Sequence, residues 1–394
     1  MNFTYNTPTK VYFGKINYDN LVTEIKQFGK KVLVLTGGKS TLKIAENLIN
    51  RLQNNCIVIL KDGIKSNPEI ELVELISNEV QDVDVILTVG GGSVHDSGKA
   101  LGIAMTHNQK LEAYTTDGTI GVSGINNSVV PVITIPTIFG TGAEVSPAAL
   151  LKIENKKRVI FSTYLYPKAT FIDCSFAATL SNDMCIKASL DAMVQGIESL
   201  VSTKAQSFSK RFSYSAIERV VVGLLSLVKG TERAPVMEEL ALASIEGLYA
   251  VGQSTVGAAH AISDPLSGRY NIHHGEAVGI LLPYVVDANY RYAEKEYETA
   301  KLIFEKNLNQ KFKTLSEALN AFYKAIGFDQ YALQYKVDRT VFNRDYNELI
   351  RESYNGDMDG NPREMTDDII GTILNKAFGV GQNEIGQGKA GAQY

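Results

Sequence analysis

The chain contains few residues of several types, and the scarcity of cysteine and of long apolar runs excludes some classes of protein. Among its 394 residues there are no tryptophans, only three cysteines and only ten prolines. Three scattered cysteines cannot build a disulfide scaffold and suit reduced thiols, so we expect a cytoplasmic protein. No run approaches eighteen consecutive apolar residues, and the first residues lack a basic segment followed by an apolar one. We therefore expect neither a transmembrane helix nor a secretory signal peptide.

The chain also lacks a large excess of charge of either sign. The 39 basic and 43 acidic residues give a net charge of −4, and no basic tract is present. A nucleic-acid partner is therefore not expected. The 44% of hydrophobic residues in a chain of this length are enough for two domains, each with its own core.

The pattern of apolar residues changes near residue 180. Before it, buried-strand runs such as Lys31–Thr36 and Val83–Val89 alternate with segments of helical spacing. This predicts an α/β domain with a parallel sheet over residues 1–180. After it, helical spacing predicts an all-α domain over residues 181–394, ending in a Gly/Gln/Ala-rich tail at 381–394 that is expected to lack regular structure.

Histidine is scarce, yet three of the five histidines stand together. His260, His273 and His274 lie within fifteen residues, and Asp191 lies upstream on a predicted helix. One aspartate and two imidazoles form a three-ligand set that leaves a position open on a catalytic metal ion. The alternative is that these are ordinary histidines of helix ends and loops.

A second motif joins a strand to a helix. The segment Val85–Val89 is mostly apolar and rich in β-branched residues, and the triplet Gly90–Gly92 follows it. Glycines let the backbone approach a phosphate, and the helix N-terminus presents free N–H groups to it. The motif is a weak signal alone, because His95 stands where the dinucleotide-binding pattern G-x-G-x-x-G requires its third glycine.

Together these motifs resemble the iron-containing (group III) alcohol dehydrogenase family, which is related to glycerol dehydrogenase and dehydroquinate synthase. The resemblance covers nearly the whole chain and follows the family's order of motifs: Val11–Gly14, Ser66–Pro68, Gly90–Lys99, Pro136–Val145, Asp191 with His260 and His274, and Asn361–Arg363. It implies an α/β nucleotide-binding domain followed by a helical domain, the dehydroquinate synthase-like fold.

The resemblance also implies a nicotinamide dinucleotide cofactor. It assigns the cofactor contacts to Gly37, Gly38, Lys39, Ser40, Asn67, Gly91, Gly92, Ser93, Asp96, Thr137 and Thr141. Asp96 has an equally simple reading as an acid in the first turn of a helix.

The residues that follow the predicted strand Lys31–Thr36 favour NADP over NAD. NAD-using relatives carry an acid after it, whereas this chain has Gly-Gly-Lys-Ser, which resembles NADP-using members. Lys39 and Ser40 would then supply a cation and a hydroxyl to the 2′-phosphate. A plain glycine turn, with Lys39 in solvent, is the alternative.

The same resemblance implies one divalent metal ion, Fe²⁺ or Zn²⁺, held by Asp191, His260 and His274. The chain departs from the family at Gln195, where iron-binding members carry a fourth ligand, histidine. Glutamine is a weak ligand for a transition metal, but glycerol dehydrogenase also lacks the fourth ligand and uses zinc with three. We therefore expect Gln195 to be a neighbour of the metal rather than a ligand.

The implied activity is that of an NAD(P)-dependent alcohol dehydrogenase or aldehyde reductase. Its substrate would be a small or sugar-like alcohol or carbonyl compound, its assembly a homodimer, and its proton donor His273 or Asp264. Asp264 has an alternative reading as a helix-end residue, and His273 as a neighbour of the ligand His274.

Three other functions stay open. A metal-independent reductase of the maleylacetate reductase type is one, since the fourth ligand is absent. A dehydroquinate synthase-like lyase is another, although only Arg269 supplies a basic group near His274. A non-catalytic member is the third, and the retention of Asp191, His260 and His274 speaks against it.

Overall fold

The computed structural model describes residues 3–126, 128–154, 156–328 and 333–379. It divides into two compact units, one made of Met1–Cys185 with Gly230–Tyr249, the other of Ile186–Lys229 with Ala250–Tyr394. The tail at 381–394 lies outside the described residues.

The first unit is organised around a parallel sheet of six strands in the order β1-β8-β5-β4-β2-β3. These strands are β1 (Lys10–Phe13), β2 (Lys31–Thr36), β3 (Ile57–Lys61), β4 (Val85–Gly90), β5 (Val132–Pro136) and β8 (Ala169–Ile172). Between β5 and β8 the chain forms an antiparallel hairpin of β6 (Ala148–Ile153) and β7 (Lys156–Phe161). The predicted α/β class with a parallel sheet is confirmed.

Side chains that alternate along each strand fill two cores, one on each face of the sheet. In β2, Leu33 and Leu35 point to one core, whereas Val32 and Val34 point to the other, and all four are fully buried. The helices of this unit that precede β5 are α1 (Tyr18–Lys26), α2 (Lys39–Leu52), α3 (Ile70–Glu79) and α4 (Gly92–Ala104).

The connections reverse direction between β2 and β4, which lie side by side in the sheet. From β2 the chain continues to β3 on one side, and from β4 it continues to β5 on the other. Parallel α/β sheets bind ligands outside the carboxyl ends of the strands at such a reversal. Gly37 and Gly91 follow these two strands directly, so the fold places both glycine turns at this point.

The second unit is helical. Its elements are most of α5 (Asn182–Val201), α6 (Ser207–Val228), α8 (Ala258–Tyr270), α9 (His274–Asn289), α10 (Glu294–Leu308), α11 (Leu315–Ile326), α12 (Arg339–Ser353) and α13 (Asp367–Ala377). Helix α9 packs against α8, α11 and α13, which makes it the central helix of these contacts.

One helix lies in the first unit although it comes late in the sequence. Most of α7 (Arg233–Val251) belongs there, because residues Gly230–Tyr249 pack with the sheet domain. Its Ser244 and Leu248 both meet the loop at Gly142. A single boundary near residue 180 does not account for the return of residues Gly230–Tyr249 to the first unit. The boundary itself stays a prediction.

Among the helices of the described ranges, none has both the length and the hydropathy needed to cross a membrane.

Candidate functional site

Helix α5 presents three polar side chains to the interior of the second unit. Asp191, Gln195 and Glu198 are spaced by four and three residues, so they share one helix face. All three are buried, with exposures of 2%, 5% and 4%. Buried carboxylates require partners, and helix α8 supplies them.

Glu198 meets the first turn of α8. Its Oε1 accepts the Ala259 N–H at 2.6 Å, and its Oε2 accepts the Gly257 N–H at 3.0 Å. The same Oε2 lies 2.6 Å from His260 Nδ1. The first N–H groups of a helix lack partners within it and carry partial positive charge, so a buried carboxylate is well placed here.

Asp191 lies on the other side of the His260 ring. His260 Nε2 is 3.2 Å from Asp191 Oδ1, and His274 Nε2 is 4.0 Å from Asp191 Oδ2. Only three residues separate α8 from α9, with Asn271 turning the chain in the left-handed conformation at φ 53°. This short turn brings the two imidazoles to a centroid distance of 5.4 Å.

The three side chains fit a divalent cation. One ligand atom from each of Asp191, His260 and His274 lies within 4.8 Å of the others. Within the described ranges, this is the one such group of three or more metal-binding side chains. A carboxylate with two imidazoles suits Zn²⁺ or Fe²⁺ and leaves coordination positions open.

The electrostatics of the site favour positive charge. Burial by itself lowers the pKa of His260, but hydrogen bonds to Asp191 and Glu198 raise it to about 10. Burial raises the pKa of Asp191, but the neighbouring His274 and His260 bring it below its ordinary value. A bound cation would supply the positive charge that Asp191 and Glu198 favour at this place.

Gln195 turns its amide nitrogen toward Asp191. Its Nε2 donates to Asp191 Oδ1 at 3.1 Å, so the amide supports the carboxylate. This contact agrees with the spacing of four residues between Asp191 and Gln195 on α5.

In the first unit, the glycine turn Gly90–Gly92 packs against the loop that follows β5, residues 137–142. A Cβ at Gly91 would lie 2.7 Å from Ile138 Cγ2, and one at Gly92 would lie 2.8 Å from Thr141 Oγ1. The Thr137 N–H also donates to the Gly90 carbonyl at 2.9 Å. Glycine is therefore needed at both positions for this close approach.

Comparison with known proteins identifies the chain. Residues 8–174 match the family model "iron-containing alcohol dehydrogenase", and residues 185–378 match the C-terminal model of the same family. The chain belongs to the iron-containing alcohol dehydrogenase family. The resemblance inferred from the sequence is thereby confirmed, and with it an oxidoreductase that acts on alcohols and their carbonyl counterparts.

Relatives match three quarters or more of the chain. It is 28% identical to 1,3-propanediol dehydrogenase of Klebsiella pneumoniae over 388 residues, which are 95% of this chain and 99% of that protein. It is 29% identical to NADH-dependent butanol dehydrogenase B of Clostridium acetobutylicum over 314 residues, 75% of this chain and 79% of that one. A solved structure of 1,3-propanediol oxidoreductase superposes with a TM-score of 0.86 at 24% identity, covering 96% and 100% of the two chains.

The other residues predicted from the sequence, which are the proton-donor candidates and several cofactor contacts, lie at the following positions in the dehydrogenase. Asp264 lies one turn after His260 on α8, and His273 directly precedes α9, near enough to Asp191 to contribute to the lowering of its pKa. Lys39 and Ser40 are exposed at the start of α2, and Asn67 is a left-handed residue with φ 52°.

Asp96 forms a buried ion pair. Lys99 Nζ donates to Asp96 Oδ1 at 2.9 Å and to the Ala148 carbonyl at 2.5 Å. Lys99 is fully buried and Asp96 is 8% exposed. Burial raises the pKa of Asp96, and the ammonium of Lys99 opposes that rise. The pair therefore ties α4 to the hairpin strand β6.

Sequence reasoning missed two groups. Glu198 lies two turns after Asp191, a spacing that could have placed it on the same face. Ser244 gave no signal: its Oγ accepts the N–H groups of Gly140 and Gly142, both at 3.0 Å, and donates to Glu144 Oε1 at 2.9 Å.

Proposed function

We propose that this dehydrogenase interconverts a small or sugar-like alcohol and its carbonyl compound with one divalent metal ion, Fe²⁺ or Zn²⁺, bound by Asp191, His260 and His274. The observation that supports it most is the convergence of three ligand atoms within 4.8 Å, with Asp191 and His260 buried and His274 partly buried. When bound, the nicotinamide would carry the hydride and the metal ion would polarise the substrate carbonyl.

The chain's own residues have three tasks in this proposal. Asp191 supplies the negative ligand, and Gln195 steadies it through the 3.1 Å hydrogen bond. His273 or Asp264 exchanges the proton with the substrate oxygen.

Metal analysis of protein purified without chelator tests the metal site. We expect about one zinc or iron per chain, and His260→Ala should lose metal and activity together while NADPH still binds. A wild-type enzyme that stays fully active without detectable metal after chelation would instead support a metal-independent reductase.

We also propose that the enzyme prefers NADPH to NADH. The end of β2 carries no acid, and Lys39 and Ser40 are exposed at the start of α2, where a 2′-phosphate would be attracted. The relative from Clostridium acetobutylicum is named for NADH, so the residues after β2 are the ones to test.

Fluorescence titration with both cofactors decides the preference. Gly38→Asp is the informative variant, because a Cβ at Gly38 meets nothing within 4 Å, whereas one at Gly37 meets Thr41 Oγ1 at 3.2 Å. The added carboxylate should shift the preference toward NADH. A wild type that binds NADH more tightly would refute the proposal.

The assembly and location complete the proposal: a cytoplasmic homodimer, in keeping with three unpaired cysteines and a mixed surface charge. Sedimentation at micromolar concentration would show a dimer, and a monomer would contradict it.

A further inference from the structure

We propose that Glu198 is a positioning residue that fixes the tautomer and orientation of His260 for metal binding. The inference rests on the proposed function, because it takes His260 as a metal ligand. Its basis is the arrangement of three hydrogen-bond donors around one buried carboxylate.

The first step concerns the His260 ring. A carboxylate is only an acceptor, so the 2.6 Å contact between Glu198 Oε2 and His260 Nδ1 requires a proton on Nδ1. With Nδ1 held protonated in this way, Nε2, which lies 3.2 Å from Asp191 Oδ1, is the nitrogen left to give up its proton and bind a metal ion. Glu198 therefore directs the metal-binding nitrogen toward the other ligands.

The second step concerns Glu198 itself. Its two oxygens accept the N–H groups of Ala259 and Gly257, so the start of α8 holds the carboxylate in place. A glutamine at this position would point its NH₂ group at a backbone N–H in either orientation. The site thus requires a carboxylate and does not accept its neutral isostere.

Gly257 leaves room for this arrangement. A Cβ there would lie 3.1 Å from Glu198 Oε1 and 3.0 Å from Asn361 Oδ1. The next amide of the helix, that of Ala258, donates to Asn361 Oδ1 at 3.3 Å. The first N–H groups of α8 therefore donate either to Glu198 or to Asn361, and only Glu198 of these two also accepts a hydrogen bond from the His260 ring.

Zinc affinity is the first test. Competition with a chromophoric chelator would measure the Kd for Zn²⁺ of the wild type and of Glu198→Gln, for which we expect binding weaker by about 10- to 100-fold. Glu305→Gln is the matched control: this buried carboxylate also accepts a backbone N–H, that of Phe312 at 3.1 Å, but its side-chain partner is Lys311 rather than a histidine. Its zinc affinity should equal that of the wild type.

The second test reads the tautomer directly. The chain has five histidines, so the zinc-loaded protein with ¹⁵N-labelled histidine gives a sparse NMR spectrum. In the wild type, His260 should show a downfield proton on Nδ1 and a metal-bound Nε2. Glu198→Gln should lose that downfield proton, whereas Glu305→Gln should keep it. A role limited to holding the helix would leave the signal in place.

The outcomes separate this inference from the proposed function. Unchanged zinc affinity and an unchanged Nδ1 proton in Glu198→Gln would overturn the inference while the metal site stands. A wild type that binds no zinc would overturn both. If Glu198→Gln does not fold, Glu198→Asp takes its place, because it keeps the charge but shortens the side chain by one methylene. Zinc binding should again be weaker and the downfield proton again lost, and wild-type values of both would overturn the inference.

Discussion

Replacing Ser244 with alanine is expected to loosen the loop that carries Thr141. The Ser244 hydroxyl accepts the N–H groups of Gly140 and Gly142 and donates to Glu144 Oε1, and all three partners are buried. The substitution removes the acceptor from two amides and the donor from one carboxyl oxygen. The methyl group that remains can neither accept nor donate a hydrogen bond.

The magnitude follows from the two amides. A buried N–H that loses its acceptor costs about 1–3 kcal/mol, so the pair costs about 2–6 kcal/mol. Local relaxation of the loop recovers part of this, and we expect a net loss of about 2–4 kcal/mol. At about 1.4 kcal/mol for each factor of ten, the two amides should exchange hydrogen about 30- to 700-fold faster.

Hydrogen exchange of the loop, measured by mass spectrometry or NMR, is the assay. Ser97→Ala is the control, because Ser97 Oγ donates to the Ser93 carbonyl at 2.8 Å and its removal leaves no N–H without an acceptor. If this loop binds the cofactor, NADPH affinity should also fall in Ser244→Ala. Protection of Gly140 and Gly142 that equals the wild type would refute the reasoning.

Three further predictions concern the two units separately. Gly91→Val should weaken NADPH binding at least about tenfold, since a Cβ there lies 2.7 Å from Ile138, and a fluorescence titration with unchanged affinity would show a purely structural turn. Gln195→His should tighten zinc binding about tenfold or more by adding a fourth ligand, and a chelator competition that shows weaker binding would contradict this. Lys99→Met should destabilise the protein by about 3–5 kcal/mol because it leaves Asp96 buried without its cation, and urea unfolding should show most of the loss recovered in the double variant with Asp96→Asn.

Much of the fold was predictable because it follows from local patterns. The apolar run Lys31–Thr36 coincides with β2, and the glycine turn after Val89 begins α4 as expected. The ligands Asp191, His260 and His274 were inferred from the family resemblance, and the structure brings them together. Their assignment as ligands stays a prediction until metal is measured.

The unpredicted features depend on contacts between distant parts of the chain. Glu198 and His260 are 62 residues apart, and Ser244 lies 104 residues from Gly140. Helical periodicity shows which residues share a face but does not show which helix end meets that face. For the same reason, the spacing of α7 predicted a helix without indicating that it packs in the first unit.

The charges around His260 connect these observations. Asp191 and Glu198 contribute −1 each and flank the two nitrogens of one neutral imidazole, so a divalent ion brings the sum −1 −1 +2 to zero. Buried charge is tolerated only when it is compensated. With Glu198→Gln the sum becomes +1, so the variant loses both the orientation of the ring and the neutrality of the metal-loaded site. Gln195→His would add no charge, so it should raise the number of ligands and leave this balance unchanged.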